Sequence, residues 1–215
     1  MPSSLRRAGA PRTLPLLLAL LAGPACGPAA PPRTPGAAGP APQVSASELL
    51  AGLDPSLLPA ELELALDEQR ARIERAPGDP AALFDLGALL DAHGLYAAAE
   101  RAYAACAALD PGAARVRALL AFSQSEQGRL AEALHTLDAA IALAPERGPL
   151  RVRRGLWLAE LGRFDEAAAE YRRALELDPK DGAAACAWAR LELDQGQPDR
   201  AAQRLEARLA AAPED

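Results

Sequence analysis

The chain has 215 residues, a formal charge of −6 and 54 alanines, about a quarter of its length. Valine, isoleucine and threonine together occur only eight times. Sheets draw on β-branched residues and helices on Ala, Leu, Arg, Glu and Gln, so a sheet-based fold is all but excluded, and with it the doubly wound and barrel enzymes. An acidic balance without a basic stripe gives phosphates nothing to bind, so no nucleic-acid partner is expected.

Ten of the twenty prolines stand before Gln43, which rules out a helical domain there. Arg6, Arg7 and Arg12 flank the start of an apolar run, Leu14 to Ala22, and no acidic residue precedes Glu48. A basic segment, a short apolar one and small residues after it have the form of a secretory signal, here over residues 1–25. The run falls well short of the about 20 residues needed to cross a bilayer. Cys26, directly after Leu20-Leu21-Ala22-Gly23-Pro24-Ala25, resembles the lipidation site of bacterial lipoproteins, with Gly23 where leucine is usual. That resemblance implies a diacylglyceryl group on the thiol, cleavage before Cys26 and acylation of the new amino terminus. The protein is then exported and membrane-held through Cys26, at the periplasmic face of the outer membrane in a Gram-negative cell. Cleavage nearby, for instance after Gly27, instead releases a soluble periplasmic or secreted protein. Residues 26–44 are rich in Pro, Gly and Ala and form a semi-rigid tether.

Beyond the tether, Ser45 followed by Glu48 predicts a capping box for a short helix. Leu62, Ala65, Leu66, Gln69 and Ile73 predict an amphipathic helix ahead of Pro77. From there one period governs the chain. Prolines stand at 77, 111, 145, 179 and 213, glycines at 94, 128, 162 and 196, and alanines at 99, 133, 167 and 201, all three series keeping the same constant step. Between these markers apolar residues recur at helical spacing, most clearly Leu150, Trp157, Leu158 and Leu161 before Gly162, then Phe164, Ala167, Ala168, Tyr171, Ala174 and Leu175. Small residues at 87, 121, 155 and 189 predict close helix approach, with Tyr103, Leu137, Tyr171 and Leu205 as their large neighbours.

The pattern resembles the tetratricopeptide repeat, whose signature places are held in the first unit by Gly87, Tyr96, Ala99, Tyr103, Cys106 and Pro111. The last unit departs most, with Pro198 and Arg208 at an aromatic and a small position. The resemblance implies an all-α fold, a right-handed superhelix of helix–turn–helix units over 80–113, 114–147, 148–181 and 182–215. Residues 45–79 are expected to form a degenerate unit capping the stack.

The chain offers little chemistry. His93 and His135 are the only histidines and lack metal-ligand spacing. Cys106 sits at a small packing position, and Cys186 is two to three units away, too far for a disulfide. There is no phosphate loop, serine elbow or catalytic constellation, so neither a catalytic site, a metal nor a cofactor is expected.

Binding is the remaining expectation. The resemblance implies that the first helix of each unit lines a concave groove for a protein or peptide partner. Its residues here are Phe84, Arg115, Phe122, Val152, Arg153, Leu156 and Arg190. An apolar floor with arginines at intervals suits an extended or helical peptide with apolar anchors and some acidic groups. The lysine/asparagine clamp of chaperone adaptors is absent, with Phe84 and Ala88 in those places. The expected function is a non-enzymatic adaptor of the bacterial cell envelope, resembling lipoproteins that assemble pilus or secretion machinery or scaffold cell-wall enzymes. The alternatives are a soluble binding module and an accessory subunit of an envelope enzyme.

Overall fold

The computed structural model describes residues 44–211. The signal segment, Cys26, the tether as far as residue 43 and Pro213 lie outside them. Among the described residues there are ten α-helices and one 3-10 turn, and no strand. A short helix α1 (Ala46–Leu49) and the 3-10 turn (Pro55–Leu57) lead into α2 (Ala60–Arg75). Four helix pairs follow: α3 (Pro80–Ala92) with α4 (Tyr96–Leu109), α5 (Ala114–Glu126) with α6 (Leu130–Leu143), α7 (Gly148–Glu160) with α8 (Phe164–Leu177), and α9 (Gly182–Asp194) with α10 (Pro198–Ala211). Each pair packs on itself and on the next, which makes an α-α solenoid. No described helix is long and apolar enough to cross a membrane.

The break glycines shape every pair. Gly94, Gly128, Gly162 and Gly196 have φ between 71° and 77°, a left-handed conformation that a side chain would strain. In the first pair the Gly94 N–H donates to the Asp91 carbonyl at 3.0 Å and the Leu95 N–H to that of Leu90 at 2.9 Å. This is the Schellman closure, and it recurs at Arg129, Arg163 and Gln197, whose N–H groups reach back to Gln124, Leu158 and Glu192. The residue after each glycine directly precedes the next helix, so the two helices fold back through a short corner, His93 to Leu95 in the first pair. At the far end Asp110 and Asp178 turn the chain by accepting the N–H of Gly112 and Lys180.

Packing inside each pair follows side-chain volume. Tyr103 and Tyr171 are fully buried, with their rings against the bare backbone of Gly87 and Gly155. The other two pairs place Ala121 and Ala189 where these glycines stand and Leu137 and Leu205 where the tyrosines stand. Leu137 is buried, but Leu205 is 37% exposed on α10, the last of the described helices. Phe164, which belongs to the apolar series by its spacing, is nonetheless 43% exposed at the start of α8.

The leading segment is tied down by polar contacts as well as apolar ones. The Ser45 hydroxyl accepts the Glu48 N–H at 3.2 Å and the Glu48 carboxylate accepts the Ser45 N–H, the reciprocal capping box. Arg101 on α4 donates to the Leu49 and Ala51 carbonyls at 2.9 and 2.7 Å, clasping the end of α1. Replacing Arg101 with alanine removes both charged donors and should speed amide exchange over residues 46–51 by about tenfold. Exchange in α5 to α9 should stay as it was. Equal exchange over 46–51 in both proteins would show that apolar contacts alone hold α1.

Candidate functional site

The first helices of successive pairs are linked by a repeated arginine-on-aromatic contact. The Arg115 guanidinium on α5 lies over the Phe84 ring of α3, 4.9 Å from its centroid. One pair further on, Arg153 of α7 lies 5.4 Å from the Phe122 centroid of α5 and 5.9 Å from that of Trp157. The two arginines follow their aromatic partners at the same sequence interval, so one inter-helix offset generates both stacks. Tyr96 meets Phe122 edge-on at 6.2 Å, and Phe84 tilts against Tyr103 at 6.1 Å. A quadrupolar ring face attracts a cation, more strongly when water is excluded.

Of the expected groove residues, Phe84, Arg115, Phe122 and Arg153 therefore come together in two stacks. Leu156 is half-buried beside them on α7. Val152 is fully buried and belongs to the packing. Arg190 is exposed on α9, and no contact joins it to the stacks. Arg153 is the surprise. An arginine on a groove should be bathed in water, yet this one is 3% exposed.

Its burial has electrostatic consequences. Among the described residues no carboxylate forms an ion pair with Arg153, and its buried Nε and Nη2 have no hydrogen-bond partner. Burial pushes the guanidinium down to about 10 against the opposing pull of Glu126. Asp91 on α3 is likewise buried, with Oδ1 unpartnered. Burial, and then the charge of Glu126, raise its carboxyl to about 7. Glu126 is itself raised by burial, an effect relieved by the facing Tyr96 hydroxyl and by Arg153. The site is thus a strip of incompletely neutralised charge, Asp91, Glu126 and Arg153, laid across three first helices between aromatic walls.

Tyr96, Glu126 and Trp157 were not among the residues expected to form the site, whereas Asp91 was expected on the groove through its place in the repeat. Asp91 stood at a groove position and carried a usable signal, a carboxylate in an otherwise apolar helix. The role of Tyr96 depends on how one pair stacks upon the next, which a single-unit pattern does not contain. The remaining polar candidates lie elsewhere. His93 and His135 are exposed, Cys186 is exposed, and Cys106 is buried with its Sγ donating to the Pro80 carbonyl at 3.2 Å. Burial and then the charges of Asp110 and Asp79 push the Cys106 thiol up to about 11, so it is no nucleophile. Among the described residues no three His, Cys, Asp or Glu side chains converge as metal ligands would.

A second concavity of about 600 Å³ lies between α8, α9 and α10, lined by Phe164, Trp188, Glu192, Arg200 and Arg204 among others. Here Arg204 and Glu192 already match each other. Arg204 stacks on Trp188 at 3.2 Å and forks onto Glu192, Nε to Oε2 at 3.0 Å and Nη2 to Oε1 at 2.5 Å.

Comparison with known proteins agrees with the fold. Residues 118–182 match one tetratricopeptide-repeat family model and residues 158–215 match another. The chain is similar to the crystal structure of MamA, with 20% identity and a TM-score of 0.64 over 70% of this chain and 88% of that one. It is 28% identical to a thermophilic tetratricopeptide-repeat protein of Thermus thermophilus, at a TM-score of 0.55 over 71% of this chain and 83% of the other. YrrB, described as a tetratricopeptide-repeat protein with an unusual peptide-binding site, is 20% identical with a TM-score of 0.59, covering 72% of this chain and 79% of its own. No curated protein matches the sequence. Residues 118–215 thus match tetratricopeptide repeats, and the described helix pairs are arranged as an α-α solenoid.

Proposed function

We propose that this protein is a non-enzymatic adaptor of the bacterial cell envelope. It is exported by residues 1–25, anchored by lipid on Cys26 and held off the membrane by the tether of residues 26–44. Its first helices form a groove for a peptide or helix of a partner protein, in the assembly of pilus or secretion machinery or of cell-wall enzymes. One observation carries the binding role: aromatic rings and arginines with unused donors are held together on adjacent first helices, a preorganised surface without catalytic groups. The peptide-binding description of YrrB points the same way. The sequence around Cys26 supports the anchor, and a soluble periplasmic module is the reading that remains if that cysteine carries no lipid.

Photo-crosslinking in the native envelope tests the groove. A crosslinker at the exposed first-helix positions Ala81 or Arg190 should capture a partner, and one at the exposed second-helix positions Ala104 or Arg173 should not. Arg115→Glu should reduce capture by about tenfold, because it puts an acidic group where a complementary partner meets a basic one. Capture from the second helices alone would refute the groove. Lipid labelling that persists in Cys26→Ser would remove the anchor from the proposal.

A further inference from the structure

The four helix pairs meet at three boundaries, and side chains of the second helix fill or cross two of them. At the first, Glu100 on α4 accepts hydrogen bonds from Gln124, Gln127 and Arg129 of the next pair. At the second, Leu134 holds the equivalent place on α6 and is buried, and Asp138 one turn on accepts from Arg154 of α7 at 2.6 Å. At the third, Ala168 stands in that place on α8, and its methyl is too short to do either. The concavity of about 600 Å³ opens there, within the size range of small-molecule sites.

Its lining is polar and electrically balanced. Glu192 and Arg204 neutralise each other, and Asp165 offsets Arg200, so an ionic ligand finds no excess charge. Arg204 covers a face of the Trp188 ring, which leaves Phe164, 43% exposed, as the open aromatic surface. Around it stand three carboxamides, Gln195 and Gln197 on either side of Gly196 and Gln203 on α10. Among the described residues the carboxamides of Gln195 and Gln203 form no hydrogen bond, and that of Gln197 uses only its oxygen, on Arg200 at 3.0 Å. Each carboxamide offers a donor and an acceptor side by side.

We propose that this concavity is a binding site for a neutral saccharide, with Phe164 against the C–H face of a pyranose ring and the carboxamides of Gln195, Gln197 and Gln203 on its hydroxyls. A pyranose presents a flat face of weakly positive C–H groups, which suits the negative face of an aromatic ring. Its edge carries adjacent hydroxyls, each both donor and acceptor, which is what a ring of carboxamides pairs with. A peptide with several apolar anchors would find one open ring to meet them. The bound sugar spans α8 and α10, the crossing that Glu100 and Asp138 make at the earlier boundaries. The site shares no residue with the arginine–aromatic stacks, so it is a second binding activity, independent of the peptide groove.

The test titrates the purified protein with cellobiose and with N,N′-diacetylchitobiose. Binding is read by saturation transfer to the sugar C–H protons and by the side-chain amide resonances of Gln195 and Gln203. A saturable response to cellobiose shows that hydroxyls suffice, and one to the acetylated disaccharide alone shows that an acetamido group is read; either supports the proposal. Phe164→Ala, at an exposed position, should weaken binding by about tenfold. Ala168→Leu gives α8 the residue that α6 carries, and should abolish binding without lowering the melting temperature. The proposal is overturned if neither sugar gives a saturable change, if acetyl-Ala-Gln-Ala amide shifts the same resonances as strongly, or if Phe164→Ala and Ala168→Leu bind as the parent does. Arg115→Glu, which weakens the groove, should leave sugar binding unchanged, and a loss there would put the sugar in the groove and overturn the site. A partner captured at Ala81 or Arg190 by a protein that binds neither sugar refutes the saccharide site and leaves the proposed function standing.

Discussion

Replacing Gly155 with alanine should destabilise the solenoid by about 3 kcal/mol, the upper part of the range for an added group in a filled core. A methyl at that position would lie 2.4 Å from Cε1 and 2.8 Å from Cδ1 of Tyr171. Neither side can give way, since Tyr171 is fully buried and the glycine is inside α7. Helix propensity works in the opposite direction and favours alanine by only about 1 kcal/mol, so the steric term wins. The second pair supplies the remedy, because it places Ala121 and Leu137 at the equivalent positions. The double variant Gly155→Ala with Tyr171→Leu should therefore recover most of the loss that the two single variants together would give. Urea unfolding of the four proteins measures the coupling as a double-mutant cycle. Additive losses would show that the tyrosine and glycine are not a fitted pair.

Asp91 should make stability fall as the pH rises. Its carboxyl is held near 7 in the folded chain, above the ordinary 3.8 that the unfolded chain keeps. Between those values the folded state binds the extra proton, so raising the pH favours unfolding. The contribution is fully present below about 4 and is lost as the pH passes about 7. That interval corresponds to a loss on the order of 4 kcal/mol at most. Asp91→Asn removes the ionisation, and its amide offers Glu126 a donor. The variant should melt above the parent at pH 8, and the difference should close on going down to pH 4. A gap independent of pH would mean that Asp91 ionises normally in the folded protein.

Most of the fold was legible in the sequence because the repeat converts geometry into arithmetic. A glycine recurring at a fixed step is a left-handed corner recurring at that step, and Gly94 to Gly196 all take that conformation. The volume exchange between Gly87 with Tyr103 and Ala121 with Leu137 could be written down in advance, since both members lie in one unit. The site was only half legible. Phe84, Arg115, Phe122 and Arg153 could be placed on first helices by register, but register gives a direction and not a depth. Arg153 is buried because Phe122 from one pair and Trp157 from its own close on it, and no single-unit pattern contains that closure. The raised carboxyl of Asp91 comes first from burial and then from Glu126 one pair away, and that second part is equally invisible in a single unit.

Tyr103 meets Gly87, and Tyr171 meets Gly155, inside one repeat segment each. Arginine and phenylalanine, by contrast, meet across a segment boundary both times. Excising residues 114–147 in a gene would leave the knob and socket of each remaining tyrosine intact. It would also set Ala88, the counterpart of Phe122, beside Arg153. Duplication and deletion of whole segments can thus preserve the packing inside each pair while rewriting the arginine–aromatic stacks between pairs. The order of the segments is information in its own right, separate from the content of any one of them.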